Sequence, residues 1–215
     1  MITLNGVTLT FKLEPIIDMF SQKVIGYEIL SKPEDNTVNT EAFFLSLPVE
    51  ILGGVFYEQL RFFTAQCTLD PERVRNLFIN LPLCLLLREG FLRTLPEYLT
   101  VTDLNLEIQY DPVTLTPEVI DYVKTLLPEG VRLWIDDVDA CGGSILNDPS
   151  GPGIKIDKEA FWSMYRSQAQ LSVLTHCSDE RVIVEGVETA EHINYLKDNG
   201  VCFGQGYYWP AIEYR

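Results

Sequence analysis

The stretch RVIVEGVETAEHINYLKDNG, residues 181–200, predicts one strand, a short loop and one helix. Residues 182–184 form an apolar run typical of a short buried strand. Thr189 is a good helix N-cap, and Gly200 provides the stop that ends many helices. Glu185 follows the strand directly, so this unit places a carboxylate at the end of a strand.

Four further segments repeat this order of an apolar strand followed by a helix or a loop. They are LFINL (77–81), LNLEIQY (104–110), VRLWID (131–136) and GIKID (153–157). Before them, TLTFKLEPIID (8–18) and KVIGYEIL (23–30) flank a polar turn and predict an antiparallel hairpin. Strands that alternate with helical crossovers imply a parallel sheet. With VCFGQ at 201–205 there are about eight strands, which predicts an α/β protein built as a (β/α)8-like barrel.

An open, doubly wound sheet is the alternative architecture. The predicted hairpin speaks against it, and no G-x-G-x-x-G follows any strand. With 215 residues the chain is long enough for one substantial core and short for two. We therefore predict a single domain over residues 1–215.

Helical spacing of apolar residues covers three longer segments. In residues 41–67 we expect Pro48 and the pair Gly53-Gly54 to split the segment into two shorter helices. Thr116 is placed to cap the helix after the LNLEIQY strand, and a long helix is expected near residues 158–176.

The charge is strongly acidic, since 31 Asp and Glu residues against 16 Lys and Arg give a net charge of −15. Proteins that bind nucleic acid usually have the opposite sign, so we expect no nucleic-acid polymer as partner. The start, MITLNGVTLTF, has no basic region and no long apolar stretch, so we expect neither a signal peptide nor a membrane span. Five scattered cysteines without C-x-x-C spacing suggest reduced thiols in a cytoplasmic protein and argue against a zinc site.

Acidic and amide side chains recur where the predicted strands end. These are Glu28, Asn80, Glu107, Asp136, Asp137, Glu185 and Gln205, and Lys155 joins them. Neighbouring carboxylates are unstable unless something positive binds between them, so the pattern predicts one shared metal site. Oxygen ligands without histidine or cysteine favour one or two Mg²⁺ or Mn²⁺ ions over zinc.

Such a site suits phosphodiester chemistry. Two hard cations would activate a water and neutralise a phosphodiester oxygen during in-line attack. Lys155 would hold the water or a phosphate oxygen, and Glu185 or Glu188 would act as a base or as a further ligand. Each residue also has an ordinary structural explanation: Asp136-Asp137 suits a turn, for example, and Glu107 suits the outer face of a strand. Their recurrence at successive strand ends favours one shared site.

Seven short motifs occur in order along the chain. They are Glu28-Ile29-Leu30, Asn80-Leu81-Pro82, Leu106-Glu107-Ile108-Gln109-Tyr110, Asp136-Asp137-Val138-Asp139, Lys155-Ile156-Asp157, Glu185-Gly186-Val187-Glu188-Thr189 and Gln205-Gly206-Tyr207. In this order they resemble the EAL domain family of bacterial cyclic di-GMP signalling, whose motifs include Glu-Ala-Leu, Leu-Glu-Ile-Thr-Glu and Asp-Asp-Phe-Gly. The resemblance covers about residues 11–210.

The resemblance implies a modified TIM barrel whose first strand runs antiparallel. It also implies metal-dependent hydrolysis of cyclic di-GMP to linear pGpG, in signalling that controls motility and biofilm formation. The implied metal ligands are Glu28, Asn80, Glu107, Asp136, Asp137 and Glu185. The implied catalytic residues are Glu28, Lys155, Glu185 and Glu188, with Lys155 positioning the water. Substrate contacts would come from Glu14, Ile29, Leu30, Lys32, Asn80 and Gln205.

Several positions depart from the family's pattern. Lys32 replaces the usual arginine and loses the planar fork that grips phosphate, and Glu14 replaces a glutamine and would repel an anionic ligand. Tyr110 replaces a glutamate that supports the loop at 138–145, and this loop lacks the usual Phe-Gly-Thr-Gly. Both ends look trimmed, and a last helix that is very short or absent would leave apolar surface for a partner.

Two hypotheses from different classes follow. The first is an active cyclic di-GMP phosphodiesterase, favoured by the retained acidic residues and Lys155. The second is a catalytically weak or inactive EAL-like regulator that binds cyclic di-GMP or a protein partner without turnover, favoured by Lys32, Tyr110 and the altered loop. A hydrolase for another phosphodiester is a weaker third reading, and a homodimer and a regulatory protein partner stay open. We prefer the first, because the metal ligands decide whether the chemistry can occur.

Overall fold

The strands follow the apolar runs of the sequence. The computed structural model describes residues 2–4, 6–69, 75–139, 151–169 and 181–214, and this part of the chain contains ten strands. They are β1 (Ile2–Leu4), β2 (Val7–Asp18), β3 (Lys23–Pro33), β4 (Asn76–Asn80), β5 (Asp103–Gln109), β6 (Val131–Val138), β7 (Gly153–Ile156), β8 (Val182–Val184), β9 (Phe203–Gly204) and β10 (Ile212–Tyr214).

Eight of these strands close into a barrel. β2 and β3 form an antiparallel hairpin, and β3 to β9 then pair in parallel, each with the next in sequence. β2 closes the ring by pairing antiparallel with β9, through Ile17 with Gly204 and Asp18 with Phe203. The predicted α/β barrel with an antiparallel first strand is therefore confirmed.

Helices connect the parallel strands. They are α1 (Thr40–Leu45), α2 (Val49–Leu69), α3 (Leu83–Leu86), α4 (Pro117–Leu126), α5 (Lys158–Ser167) and α6 (Ala190–Asp198), with a 3₁₀ helix at Phe91–Glu97. Thr116 and Thr189 cap α4 and α6 as predicted, because their side chains accept hydrogen bonds from backbone N–H groups of the first turn. No helix within the described ranges is long and apolar enough to cross a membrane.

The predicted helix break in residues 41–67 lies at one point rather than two. Pro48 separates α1 from α2, whereas Gly53 and Gly54 lie inside α2. Gly53 has a packing reason to be there, since a Cβ at this position would lie 3.0 Å from the ring of Phe91. The glycine therefore lets the 3₁₀ helix approach α2 closely.

Two further predictions fall partly outside the described residues. The helix predicted near 158–176 is α5, which ends at Ser167, and Gln168 follows in the left-handed conformation. Residues 170–176 of that prediction lie outside the described part. Of the loop at 138–145, only Val138 and Asp139 are described.

The interior of the barrel is filled in layers of four side chains from alternate strands, as is usual for this architecture. One apolar layer comes from β2, β4, β6 and β8 and consists of Ile16, Phe78, Trp134 and Ile183. Gly26 and Gly153 on neighbouring strands make room for it, since a Cβ there would lie 2.7 Å from Phe78 and 2.3 Å from Trp134. Because this layer is apolar and buried, it excludes water from beneath the polar side chains nearer the carboxyl ends of the strands.

β10 was not predicted. It pairs antiparallel with β2 and places the ring of Tyr214 edge-on against Phe62 and Phe63 of α2. Tyr214 therefore covers part of the apolar surface of α2.

Candidate metal centre

Two polar layers follow the apolar layer toward the carboxyl ends of the strands. The first contains Glu28, Glu107, Lys155 and Gln205, all at most 4% exposed. The second contains Glu14, Asn80, Asp136 and Glu185, from β2, β4 and β6 and from the residue after β8. Side chains alternate along a strand, so every second residue points into the barrel and distant segments meet there. The structure thus brings together the polar residues that were predicted at the strand ends.

Lys155 is the positive centre of this group. Its Nζ lies 2.7 Å from Oε1 of Glu185 and 3.0 Å from Oε2 of Glu28. Glu107 Oε1 at 3.1 Å and Asp136 Oδ1 at 3.2 Å complete its surroundings. Burial alone would lower the pKa of Lys155, but the four carboxylates outweigh it and raise this pKa well above its usual range. The lysine therefore keeps its positive charge although it is fully buried.

A bulge at the end of β6 turns two adjacent aspartates toward the same site. Neighbouring strand residues normally point to opposite faces. Here the register between β6 and β7 shifts between Ile135 and Val138, and Asp137 adopts φ of 55°, in the left-handed region. Carboxylate oxygens of Asp136, Asp137 and Glu185 consequently lie within 4.8 Å of one another. Strained non-glycine residues of this kind cluster at functional sites.

The site holds more negative charge than one lysine can balance. Burial raises the pKa of Glu185 to about 8 and the pKa of Asp136 to about 6, against the pull of Lys155. Burial and the charge of Glu28 raise the pKa of Glu107 well above its usual range. Burial would also raise the pKa of Glu28, but Lys155 and two amide hydrogen bonds lower it. Part of these carboxyl groups would therefore be protonated near neutral pH, and a divalent cation could replace the protons.

The oxygen donors fit a hard divalent cation. Oxygens of Glu28, Glu107 and Asp136 lie within 4.8 Å of one another, beside the second group formed by Asp136, Asp137 and Glu185. In the described part of the chain, Glu107 Oε1 and Asp136 Oδ1 are buried and contact the Lys155 ammonium at 3.1 and 3.2 Å, without a well-aligned hydrogen bond. Carboxylate oxygens in such clusters are the ligands that Mg²⁺ and Mn²⁺ prefer.

Two amides frame the carboxylates. Asn80 Nδ2 donates to Glu28 Oε1 at 2.9 Å, and Gln205 Nε2 donates to Glu28 Oε2 at 2.6 Å and to Glu14 Oε2 at 3.2 Å. Both amide nitrogens therefore face carboxylates, which leaves the amide oxygens for other contacts. Gln205 Oε1 is buried and accepts no hydrogen bond from the described residues.

A cavity of about 270 Å³ opens above the carboxylates. Its lining includes Glu14 and Leu30 of the β2–β3 hairpin, together with Lys158, Trp162, Glu188 and Tyr207. Trp162 is fixed there because its Nε1 donates to the backbone oxygen of Gly186 at 2.8 Å. The cavity thus combines acidic residues with aromatic rings and the ammonium of Lys158.

Three residues predicted to contact substrate do not line this cavity: Ile29, Lys32 and Asn80. Ile29 faces the core between barrel and helices and is 1% exposed, because alternation along β3 turns it away from its neighbours Glu28 and Leu30. Lys32 lies at the rim, where its Nζ is 3.3 Å from Oε1 of Glu213 on β10. The Ile29 side chain thus points away from the cavity, and its contact with substrate stays a prediction.

Lys158 and Trp162 line the cavity but were not predicted to do so. The available signal was their spacing of four residues on a helix that begins directly after Lys155-Ile156-Asp157. This spacing puts both side chains on one face of α5, above the end of β7.

Comparison with known proteins identifies relatives along nearly the whole chain. The EAL domain model matches residues 3–211. Cyclic di-GMP phosphodiesterase TpdA of Vibrio parahaemolyticus is 28% identical over 211 residues, which is 93% of this chain and 36% of that protein. The probable cyclic di-GMP phosphodiesterase PdeG of Escherichia coli is 28% identical over 138 residues, which is 59% of this chain and 25% of that protein. The chain thus spans about a third or less of the length of these relatives.

Solved structures share the fold. BlrP1 of Klebsiella pneumoniae with manganese and cyclic di-GMP has a TM-score of 0.72 at 22% identity, over 98% of this chain and 57% of that chain. The PaMucR phosphodiesterase in complex with cyclic di-GMP has a TM-score of 0.70 at 20% identity, over 93% and 90% of the two chains. The EAL-like domain protein YdiV has a TM-score of 0.68 at 20% identity, over 96% and 92%. With its barrel, its ordered motifs and a family match over residues 3–211, this chain belongs to the EAL domain family.

Proposed function

We propose that this chain is a metal-dependent phosphodiesterase that hydrolyses cyclic di-GMP to linear pGpG. The observation that carries the proposal is the buried cluster in which four carboxylates lie within 3.2 Å of Lys155 Nζ. Burying so many like charges is costly, and such arrangements concentrate at functional sites. The names of the two relatives support cyclic di-GMP as the substrate.

The metal would be held by the acidic residues and one amide. These are Glu28, Asn80, Glu107, Asp136, Asp137 and Glu185. Bound Mg²⁺ or Mn²⁺, as one ion or two, supplies an acidified water and charge neutralisation at a phosphodiester oxygen. The chain's own contribution is a dry, rigid cluster, because the apolar layer lies beneath it and Lys155 fixes four of its oxygens.

The remaining residues would act on the water and on the substrate. Lys155 would donate a hydrogen bond that orients the attacking water, and Glu188, exposed on the cavity wall, would pass the released proton to solvent. Gln205 Oε1 is an acceptor without a partner among the described residues, which suits an N–H group of guanine. Lys158 would attract a phosphate, and Trp162 and Tyr207 offer rings for stacking against a base.

The test is an incubation of purified protein with cyclic di-GMP and Mg²⁺ or Mn²⁺, with pGpG detected by chromatography. We expect pGpG from the wild type and none from Glu28→Gln, which keeps the shape of a central ligand but removes its charge. Glu129→Gln is the matched control, because Glu129 is exposed in the turn before β6, at the opposite end of the barrel. Hydrolysis by Glu28→Gln at the wild-type rate would contradict the metal assignment.

A regulator that binds cyclic di-GMP without turnover is the second candidate. It is favoured by Lys32, which is paired with Glu213 at the rim and does not line the cavity. Equilibrium binding of cyclic di-GMP with no pGpG at high enzyme concentration, with either metal, would support this candidate over the first. A wild type that neither binds nor hydrolyses cyclic di-GMP would exclude both.

A further inference from the structure

We propose that Lys12 and Glu14 form a charge-balanced pair that sets the affinity of the site for its anionic substrate. Lys12 is a positioning residue here, because it acts through Glu14. The identity of the substrate rests on the proposed function, whereas the electrostatic role of the pair does not. On this proposal, Lys12 offsets the repulsion that Glu14 is expected to exert on an anionic ligand.

The pair lies on the inner face of β2. Lys12 and Glu14 are two residues apart on this strand, so their side chains share one face, and Lys12 Nζ forms an ion pair with Glu14 Oε1. The two side chains are 23% and 17% exposed, which shields the pair from most of the solvent. Glu14 lines the cavity and Lys12 does not. The charge of Lys12 therefore influences the site through its ion pair with the Glu14 carboxylate.

Glu14 is connected to the metal centre through one amide. The Nε2 group of Gln205 donates to Glu14 Oε2 at 3.2 Å and to Glu28 Oε2 at 2.6 Å. Both hydrogens of this amide nitrogen are thereby used, which fixes the direction of the amide. Gln205 is 3% exposed and lines the cavity, and its Oε1 accepts no hydrogen bond from the described residues. An unsatisfied buried oxygen at a cavity wall points to a ligand that donates a hydrogen bond.

The charge balance gives the pair an unusual experimental signature. Without Lys12, Glu14 would add an uncompensated carboxylate to a site that already carries excess negative charge. An anion would then bind less tightly and a divalent cation more tightly, since both feel the same field with opposite sign. Damage to the local structure would instead weaken the binding of both.

The experiment compares Lys12→Met, Glu14→Gln and the double variant with wild type. Two quantities are measured: the Kd of Mn²⁺ by titration of metal-free protein, and KM and kcat for cyclic di-GMP. For Lys12→Met we expect the Kd of Mn²⁺ to fall about threefold and KM to rise about tenfold, with kcat within about twofold of wild type. Adding Glu14→Gln should return both constants to within about twofold of wild type, because the uncompensated charge is then gone.

Two control variants accompany these. Lys12→Arg keeps the charge and should keep both constants. Lys23→Met removes the same charge from the far end of the hairpin, where Lys23 is exposed at the start of β3, and should change neither.

Three results would overturn the proposal. Weaker binding of both Mn²⁺ and cyclic di-GMP in Lys12→Met would show structural damage. Constants of the double variant that stay as far from wild type as those of Lys12→Met would show that Lys12 acts independently of Glu14. An unchanged Kd of Mn²⁺ in Lys12→Met would contradict the charge balance even if the wild type binds no cyclic di-GMP, so failure of the proposed function is recognised separately.

Discussion

The ammonium of Lys155 lies 2.7 Å from a carboxylate oxygen of Glu185, and Lys155 is fully buried there. This contact is the shortest of four between the lysine and carboxylates of the barrel. Lys155 and any bound metal would thus contact and neutralise the same group of carboxylate oxygens. The stability of the fold and the affinity for metal are therefore coupled.

Loss of the buried lysine should make the fold depend on metal. In Lys155→Met the carboxylates lose their only cation within contact distance among the described residues, so we expect the free energy of unfolding in EDTA to fall by about 3 kcal/mol. Added Mn²⁺ should restore part of this loss. Urea unfolding measures both effects, and Lys158→Met, which removes an exposed lysine three residues later, should change stability by less than about 0.5 kcal/mol. Equal losses in the two variants would contradict the coupling.

Metal affinity should rise with pH. Because the pKa of Glu185 is raised to about 8 and that of Asp136 to about 6, protons compete with the metal below these values. Between pH 6 and 8 we expect the affinity for Mn²⁺ to rise by up to about tenfold per pH unit, with release of about one proton per ion bound. Calorimetric titration in buffers of different ionisation enthalpy counts this proton. Glu185→Gln should lower both the slope and the proton release, and an unchanged slope in this variant would assign the competition to another group.

Two substitutions at Asp137 should distinguish the effect of its backbone conformation on stability from the effect of its charge on metal binding. Asparagine tolerates the left-handed conformation that Asp137 adopts at φ 55°, so Asp137→Asn should fold as stably as wild type but bind Mn²⁺ less tightly. Alanine does not tolerate it well, so Asp137→Ala should be less stable than Asp137→Asn by about 1 kcal/mol. Urea unfolding in EDTA together with Mn²⁺ titration tests both statements. Equal stability of the two variants would show that the conformation is not held in solution.

Gly206 should be essential for the position of Gln205. A Cβ at residue 206 would lie 2.4 Å from the backbone N and O of Val187. The Val187 N–H donates a hydrogen bond to the backbone oxygen of Gln205 at 3.0 Å. Gly206→Ala should therefore push the two loops apart and raise KM for cyclic di-GMP about tenfold. Gly200→Ala is the matched control, since Gly200 also has positive φ but no atom within 4 Å of the added methyl group. It should lose stability with KM unchanged.

The sequence predicted the barrel and the meeting of its polar residues because strand alternation determines both. Glu107 could not be assigned to the inner or the outer face from its own segment, since that choice depends on partners on β3 and β7. The orientation of the Asp137 side chain could not be predicted either. Regular alternation would point it away from the side to which Asp136 points, and only the bulge turns both side chains toward the same site. Lys32 was assigned to substrate, and its pairing with Glu213 depends on β10, a strand too short to show any periodicity.

The barrel is closed by a very short seam. Two residue pairs, Ile17 with Gly204 and Asp18 with Phe203, join β2 to β9, and one backbone hydrogen bond from Met19 to Cys202 extends the contact. A ladder this brief stores little pairing energy, and β8 also joins β9 by only two residue pairs, so the cylinder should begin to part on either side of β9, and amide exchange should be fast there. Gln205 follows immediately, whereas the ladder from β4 to β6 lies elsewhere on the ring. Parting at β9 would thus release the cavity-lining amide of Gln205 first, while the carboxylates on the longer ladder stay in register.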